Sequence, residues 1–159
     1  MKVQLLCVGR PRGVLADAIA EYESRLRHYF TFEVAEVREE TFRRAGDIDR
    51  VRDEEGKRLL GRMVPTHELV ALTRDGAQWS SERFSTYLAT LAVQAASGAT
   101  FAIGGAYGLA EEVLRRSTHR LSLSTFTLPH ELARLVLTEQ LYRAGTINRG
   151  EPYHKGRGA

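Results

Sequence analysis

The sequence predicts an α/β fold in which a mostly parallel β-sheet is covered by helices on both faces. Short, largely apolar segments typical of strands alternate five times with segments of helical periodicity, and this order is typical of such a sheet. A length of 159 residues, with 43% hydrophobic and 27% charged residues, fits one domain with a substantial core. We therefore expect a single domain over residues 1–159.

The first half of the chain is predicted to contain three strands and two helices. The strands are the segments 3–9, 32–37 and 68–73. One helix is amphipathic between Leu15 and Tyr29, and the second begins at a predicted N-cap, Asp47. The sequence "RDGAQW" predicts a turn after the third strand.

A long uncharged segment, residues 84–110, opens the second half. It is long enough to cross a bilayer, but it contains several Ser and Thr residues and is broken by "SG" at 97–98. A buried helix followed by a buried strand at 100–105 explains it better.

Two helices and a strand are predicted in the remainder. A short helix has Glu111 in its first turn and Arg116 in its last, the signs that the helix dipole favours. A short strand follows at 120–125. Thr127 is expected to cap the last helix, with Pro129 near its first position.

Parallel sheets bind ligands beyond the carboxyl ends of their strands, which selects the loops after Thr73, Ile103 and Ser124. In the second loop, "AIGGAYGL" has the glycine spacing G-G-x-x-G, which differs from the dinucleotide fingerprint and from the phosphate loop. Glycine permits close approach of a ligand to the backbone, although a tight turn without function explains the motif equally well.

The third loop, residues 121–128, is uncharged and rich in Ser and Thr. It suits a neutral or cationic organic ligand with an adenine ring better than a polyphosphate. The simpler alternative is a strand that runs into a helix cap. The five histidines show no metal-ligand spacing, so no metal is expected, and His130 is expected to position this loop.

The charge of the chain is concentrated at its C-terminus. Residues 1–142 carry 19 basic and 19 acidic residues, so the net charge of +3 arises from residues 143–159. Any nucleic-acid contact is therefore expected to be local. Arg143 lies four residues after Glu139, and an ion pair within a helix would explain it without function.

The N-terminus and the single cysteine bear on the compartment. The apolar stretch after Met1 is too short for a signal peptide, and no small-residue cleavage site follows it. Cys7 lies in an apolar run and is expected to be a buried, inert thiol. These features predict a cytoplasmic protein.

Three segments together carry a family resemblance: "IGGAYGL", "LSLSTFTLPHELARLVLTEQLYRA" and "INRGEPYHK". In this order and at these distances, the chain resembles the SPOUT-class RNA methyltransferases. Within that class it is similar to the family that methylates N3 of a pseudouridine in large-subunit (23S) ribosomal RNA. The resemblance covers nearly the whole chain, and the extension "GRGA" after Lys155 is its one departure.

The resemblance implies a C-terminal deep trefoil knot, S-adenosyl-L-methionine as the cofactor, and a homodimer whose active site is completed across the interface. Given this activity, the small size of the chain and the lack of a separate RNA-binding domain predict an assembled ribosome or large subunit as the partner. No membrane and no metal are expected. The cofactor-binding residues that it implies are Leu72, Gly105, Ser124, Thr125, Phe126, Thr127, Leu128 and Pro129.

The C-terminal tail, residues 146–159, is then expected to act on the RNA. Arg143, Tyr153 and His154 are the candidate catalytic residues, since methylation of a ring nitrogen requires positioning, proton removal and stabilisation of a ring anion. Arg149, Lys155 and Arg157 are candidates for contacts with RNA phosphates.

Two other functions remain open at this point. One is a non-catalytic RNA-binding ribosome factor on the same fold, which need not bind the cofactor. The other is a flavodoxin-like binder or receiver. "VGRPRG" after the first strand has neither the acidic pair of a receiver nor the Ser/Thr-rich phosphate cradle of a flavodoxin.

Overall fold

The computed structural model describes residues 1–94 and 98–154. Within these ranges lie five strands, five α-helices and one short 3-10 helix. The strands are β1 (Lys2–Val8), β2 (Thr31–Val37), β3 (Glu68–Gln78), β4 (Gly98–Ile103) and β5 (His119–Ser122). The helices are α1 (Val14–Leu26), α2 (Ile48–Arg62), α3 (Ser81–Val93), α4 (Glu111–Arg116), α5 (His130–Asn148) and the 3-10 helix Pro152–His154.

The five strands form one sheet in the order β2-β1-β4-β3-β5, and every pair of neighbours is parallel. In the middle of the sheet, Leu5 of β1 lies between Val34 of β2 and Phe101 of β4. The predicted α/β class and parallel sheet are therefore confirmed. The trefoil knot stays a prediction.

Helices cover both faces of the sheet. On one face, apolar side chains of α1, α3 and α5 pack with Val3, Leu5 and Cys7 of β1. On the other face, α2 and α4 pack against Leu6 and Val8 of the same strand. The successive side chains of β1 thus alternate between two cores, which is why nearly the whole strand is apolar.

Strand β3 is longer than predicted. The sequence "RDGAQW", predicted to be a turn, mostly continues the strand, and its pairing with β5 is irregular between Leu72 and Ala77. Gly76 makes this possible, because a Cβ there would lie 2.6 Å from the carbonyl oxygen of Arg120. The turn residues in the sequence thus mark an irregular part of the strand, where residues 73–76 stand between two residues that both pair with Leu121.

Helix α5 also extends further than the apolar pattern predicts, so that residues 146–148 of the predicted tail belong to the helix. Gly145 sits inside this extension with the ring of Tyr29 against it, where a Cβ would come within 2.6 Å of the ring. The helix begins after Pro129, and Thr127 does not cap it. The predicted capping role of Thr127 is therefore wrong, and its hydroxyl instead accepts a hydrogen bond from Arg74 at 3.4 Å.

The uncharged segment folds as predicted into a helix, α3, and a fully buried strand, β4. Helix α4 carries its acidic and basic residues at the predicted ends, and Asp47 is the N-cap residue of α2. Over the described ranges, no helix has the length and apolar character needed to cross a bilayer.

Cys7 is buried in the core, as predicted. Its side chain lies on the face of β1 that packs against α1 and α5. Burial raises the pKa of this thiol to about 12, so that it stays protonated and unreactive at neutral pH.

Candidate active site

A cavity of about 510 Å³ opens at the carboxyl ends of β4 and β5, beside the irregular part of β3. Its size is within the range of sites that bind small molecules and cofactors. The strand-end rule selected the three segments that build it, although the first of them lies within β3 and is not a loop. The segments contribute residues 72–75, 103–109, 121, 123, 124 and 126–128, with further lining from Arg52, Leu114, Arg120, His130 and Ala133.

The glycine turn forms one wall of the cavity. Gly108 has φ +82° and its N–H donates to the carbonyl of Gly105 at 3.1 Å, which closes the turn. A Cβ on Gly104 would lie 2.5 Å from the carbonyl carbon of Gly108, so the turn can close this tightly only without a side chain there.

Gly105 lacks a side chain for a different reason from the one the sequence suggested. A Cβ there would point away from the ligand space, to within 2.9 Å of Glu55 Oε2 and 3.1 Å of Val8 Cγ1. Glu55 is buried, and its Oε2 has no hydrogen-bond partner among the described residues. Burial raises the pKa of this carboxyl above its ordinary value. Gly105 therefore lets the turn pack directly against a buried acid on α2.

The loop after β5 forms the opposite wall. Ser124 organises it, since its carbonyl accepts from Ser122 Oγ at 2.9 Å and its hydroxyl accepts from the N–H of Phe126 at 3.0 Å. The ring of Phe126 is left 80% exposed at the cavity. Of the eight predicted cofactor-binding residues, six line the cavity (Leu72, Gly105, Ser124, Phe126, Thr127 and Leu128), whereas Thr125 and Pro129 do not.

The polar groups of the cavity fit an organic ligand. Thr73 has a buried hydroxyl oxygen that finds no partner in the described part of the chain. Such a group is costly unless a ligand or water satisfies it. Asp75, Arg74 and Arg120 supply charges of both signs, while the 121–128 wall is uncharged. No group of three or more metal-ligating side chains occurs within residues 1–94 and 98–154.

A second cluster lies near the other end of α5. The guanidinium group of Arg143 pairs with Glu139 at 3.0 Å and lies 5.1 Å from the ring centroid of Tyr153. The hydroxyl of Tyr153 donates to the same Glu139 carboxylate at 3.2 Å. The Tyr153 ring also packs edge-on against Tyr142, with centroids 4.7 Å apart. The structure therefore brings together two of the three predicted catalytic residues, and one carboxylate holds both.

The surroundings of Tyr153 determine its protonation state. Partial burial, with a contribution from the Glu139 carboxylate, raises the pKa of the phenol above its ordinary value of 10. Tyr153 is therefore a neutral hydroxyl at physiological pH. It can donate a hydrogen bond or stack on a base, but it does not supply a phenolate base.

The remaining predicted residues are spread along the C-terminus. Arg149 donates to the carbonyl of His28 at 2.8 Å and lies over the ring of Tyr29, so it ties the end of α5 to the turn that follows α1. His154 ends the 3-10 helix, and its side chain lies outside the described part of the chain, as do Lys155 and Arg157.

The cavity and the Arg143–Tyr153 cluster lie far apart within one chain. His130 lines the cavity at the first residue of α5, and Arg143 follows 13 residues later in the same helix. At the rise of an α-helix this places them about 20 Å apart along the axis. None of Arg143, Arg149 and Tyr153 lines the cavity.

Sequence reasoning missed several residues of both regions. Arg74 and Tyr107 line the cavity but were not predicted to do so. Both lie in segments that the strand-end rule had selected, so their positions could have indicated this role. Arg52 also lines it, but comes from α2, and nothing in its sequence neighbourhood points there. Glu139 was considered only as a helical ion-pair partner, because the approach of Tyr153 from 14 residues away is a tertiary contact.

Comparison with known proteins adds independent information. The family model described as "Predicted SPOUT methyltransferase" matches residues 1–154. The chain is 48% identical over 156 residues to a protein of Gemmatimonas aurantiaca named "Ribosomal RNA large subunit methyltransferase H", a match that covers 98% of this chain and 100% of the relative. A protein of the same name from Listeria monocytogenes serotype 4b is 43% identical over 159 residues, with the same coverage.

Solved structures agree on the fold. A structure described as a probable methyltransferase from Bordetella pertussis Tohama I superposes with a TM-score of 0.56 at 14% identity, and the match covers 91% of this chain and 94% of that one. At this identity the likeness concerns the fold alone. The family model and the full-length relatives go further, and on their strength the chain belongs to the SPOUT methyltransferase family.

Proposed function

We propose that the protein is a ribosomal RNA methyltransferase that transfers a methyl group from S-adenosyl-L-methionine to N3 of a pseudouridine in the large-subunit RNA. Membership of the family and the names of the full-length relatives support methylation of ribosomal RNA. The observation that supports this methyl donor and this target base is that the chain has both a cofactor-sized cavity and a separate cluster of Arg143, Tyr153 and Glu139. No corresponding feature favours a non-catalytic RNA-binding factor.

The cavity is proposed to hold the methyl donor. Leu72, Gly105 and the segment 124–129 would hold it, of which Thr125 and Pro129 would act by shaping the loop. When bound, S-adenosyl-L-methionine supplies a methyl group on a cationic sulfur. The uncharged 121–128 wall would not hold that cation in an ion pair, and the exposed ring of Phe126 and the orphaned hydroxyl of Thr73 offer contacts that the chain alone leaves unused.

The Arg143–Tyr153 cluster is proposed to handle the target base. The guanidinium group of Arg143 would stabilise the negative charge that develops on the uracil oxygens when N3 loses its proton. Tyr153, as a neutral phenol, would stack on the base or donate a hydrogen bond to it. The proton of N3 would pass to a general base, which would be either His154 or a group that His154 orients.

The tail is proposed to hold the RNA backbone. Lys155 and Arg157 would contact phosphates, which position the RNA without reading its sequence. Arg149 would contribute from its tied position above Tyr29. Residues 146–159 would thus form a functional tail on a single methyltransferase domain, acting in the cytoplasm on an assembled ribosome or large subunit.

The separation of the two regions is the argument for a homodimer. A methyl donor in the cavity and a base held by Arg143 about 20 Å away cannot react within one chain. A second copy that brings its Arg143–Tyr153 cluster to the cavity of the first would complete the site, and a two-fold axis would generate two such sites.

Subunit mixing tests this arrangement. Ser124→Arg would block the cavity of one subunit, and Arg143→Ala would disable the cluster of the other, so that each homodimer is inactive on large ribosomal subunits. If the site forms across the interface, a mixed dimer contains one intact site, and random mixing recovers about a quarter of the wild-type activity. If both regions act within one chain, every site in the mixture carries a fault and no activity returns.

Two controls accompany the mixing experiment. Calorimetry should show donor binding lost in Ser124→Arg and retained in Arg143→Ala. Mass spectrometry of the RNA should place the new methyl group on N3 of a pseudouridine, and a methyl group at any other position would refute that part of the proposal.

A further inference from the structure

An exposed aromatic pair lies beside the cavity and plays no part in the chemistry described so far. Phe42, on the loop between β2 and α2, and Tyr107, in the glycine turn, have ring centroids 5.5 Å apart and planes inclined by 30°. Phe42 is 44% exposed and Tyr107 is 37% exposed. Tyr107 also lines the cavity, so the pair extends from its wall onto the protein surface.

The charged side chains of the Phe42 loop, residues 38–47, differ in their exposure. Two of its three carboxylates face inward: Glu40 pairs with Arg50 and Arg58, and Asp47 pairs with Arg50, so that both side chains are nearly buried. The third, Glu39, is exposed. The arginines of the loop face outward. The side chain of Arg44 is 86% exposed, and its distance of 4.0 Å to Asp47, which already pairs with Arg50, makes this a weak ion pair. Arg43 forms no side-chain ion pair in the described part of the chain. The loop therefore presents an aromatic ring next to two available positive charges, although its three arginines and three carboxylates cancel in formal charge.

We propose that Phe42 and Tyr107 form a stacking surface for an unpaired base of the RNA that flanks the methylated nucleotide, with Arg43 and Arg44 on the adjoining phosphates. This inference rests on the proposed function. Proteins hold single-stranded RNA by stacking bases on aromatic side chains and by pairing phosphates with basic ones. A base stacked there would lie at the entrance of the cavity, where the chain next to the target nucleotide has to pass.

The substitution that isolates this role is Phe42→Ala, because Phe42 does not line the cavity whereas Tyr107 does. The measurement is the dissociation constant for purified large ribosomal subunits by filter binding, together with methyl incorporation and donor affinity. We expect binding to weaken by about fivefold or more, as for the loss of one stacked base. Donor affinity should stay unchanged, and Phe42→Tyr, which keeps the ring, should bind like the wild type.

Two matched controls separate stacking and charge from general surface effects. Val93→Ala removes another exposed apolar side chain and should leave RNA binding unchanged. The double variant of Arg43 and Arg44 to Ala should reduce the slope of log binding against log salt by about 0.7 for each phosphate that the protein no longer neutralises. Arg62→Ala, an exposed arginine at the far end of α2, should leave that slope unchanged.

Three results would overturn the inference: unchanged binding by Phe42→Ala, loss of donor affinity in parallel with RNA affinity, or dissociation of the dimer on sedimentation, which would make Phe42 a subunit contact.

The failure of the proposed function would give different results. A wild-type protein that binds ribosomal subunits but transfers no methyl group would refute the methylation proposal, while the Phe42→Ala binding result would still decide the stacking surface. A wild-type protein that does not bind them would overturn the stacking proposal as well.

Discussion

The two ends of helix α5 are built on different principles. At its N-terminal end the loop after β5 is held by few hydrogen bonds, leaves Phe126 exposed and surrounds a cavity with an unsatisfied hydroxyl on Thr73. At its C-terminal end Arg143, Tyr153 and Glu139 are already fixed to one another. Under the proposed function, the first end would receive the methyl donor, whereas the second holds its side chains in place before any ligand binds. Helix α5 keeps the two ends about 20 Å apart, so their proposed cooperation would require two chains.

The strongest challenge to this division is removal of residues 150–159. We expect the shortened protein to bind S-adenosyl-L-methionine almost normally and to lose methylation of large ribosomal subunits, because Tyr153 and His154 leave with the basic residues. Calorimetry and incorporation of a labelled methyl group measure the two effects. Removal of 158–159 alone is the control and should leave activity intact. Full activity of the longer deletion would mean that the tail contributes nothing to the reaction.

A smaller effect is expected from Glu139→Gln, which keeps the shape of the side chain but removes the charge that holds Arg143 and Tyr153. Loss of a charged hydrogen bond should reduce kcat about tenfold, with little change in donor affinity. The pKa of Tyr153 should fall toward its ordinary value, because a carboxylate that disfavours the phenolate is gone. Ultraviolet titration of the tyrosines checks this.

The control is Glu112→Gln, which breaks a similar helical ion pair with Arg116 on α4. It should change neither kcat nor the tyrosine titration. An equal loss of kcat in both variants would show that Glu139 matters only as a surface charge.

At the cavity end, Gly105→Ala tests packing behind the ligand site. The new Cβ would lie 2.9 Å from Glu55 Oε2, so either the turn or the buried acid has to shift. We expect a loss of about 1–3 kcal/mol in the free energy of unfolding, as for other overpacked sites, with donor binding weakened through displacement of the turn. Urea unfolding and calorimetry measure these. Gly61→Ala, where no atom lies within 4 Å of the new methyl group, should not destabilise the fold.

The smallest effect concerns pH. Because the pKa of Glu55 is raised in the folded state, the fold favours the protonated acid, and this contribution to stability is lost as pH rises from the ordinary value of 4.5 through the folded-state pKa. Glu55→Gln removes this ionisation. Compared with the wild type, the variant should therefore lose less, or gain more, free energy of unfolding when the pH is raised from 4 to 7.5. Urea titrations at the two pH values measure it. Identical pH profiles would show that the Glu55 carboxyl titrates normally.

Several strands and helices could be predicted from the residues of the segment itself. The apolar run of β1, the uncharged segment that becomes α3 and β4, and the charged ends of α4 were all predicted. The strand-end rule also selected the three segments that line the cavity, because it depends only on the order of parallel strands, although the segment after Thr73 proved to continue β3 and not to form a loop.

The errors arose where a distant residue changes the meaning of a local signal. Gly76 lies in a segment that was predicted to be a turn, because the packing of the β5 backbone against it cannot be seen in the sequence. Likewise, no pattern along the chain reveals that Gly105 faces Glu55, or that Tyr153 returns to Glu139. These contacts exist only after the sheet and α5 are in place.

The buried thiol of Cys7 has a practical consequence for the study of the assembly. It is the only cysteine in the chain, and its burial and raised pKa leave it unreactive toward maleimides at neutral pH. The natural protein therefore already serves as a background for site-specific labelling. A single cysteine introduced at the exposed position Val93 would carry one fluorophore or spin label per chain, and the distance between two labels would report directly on how two copies associate.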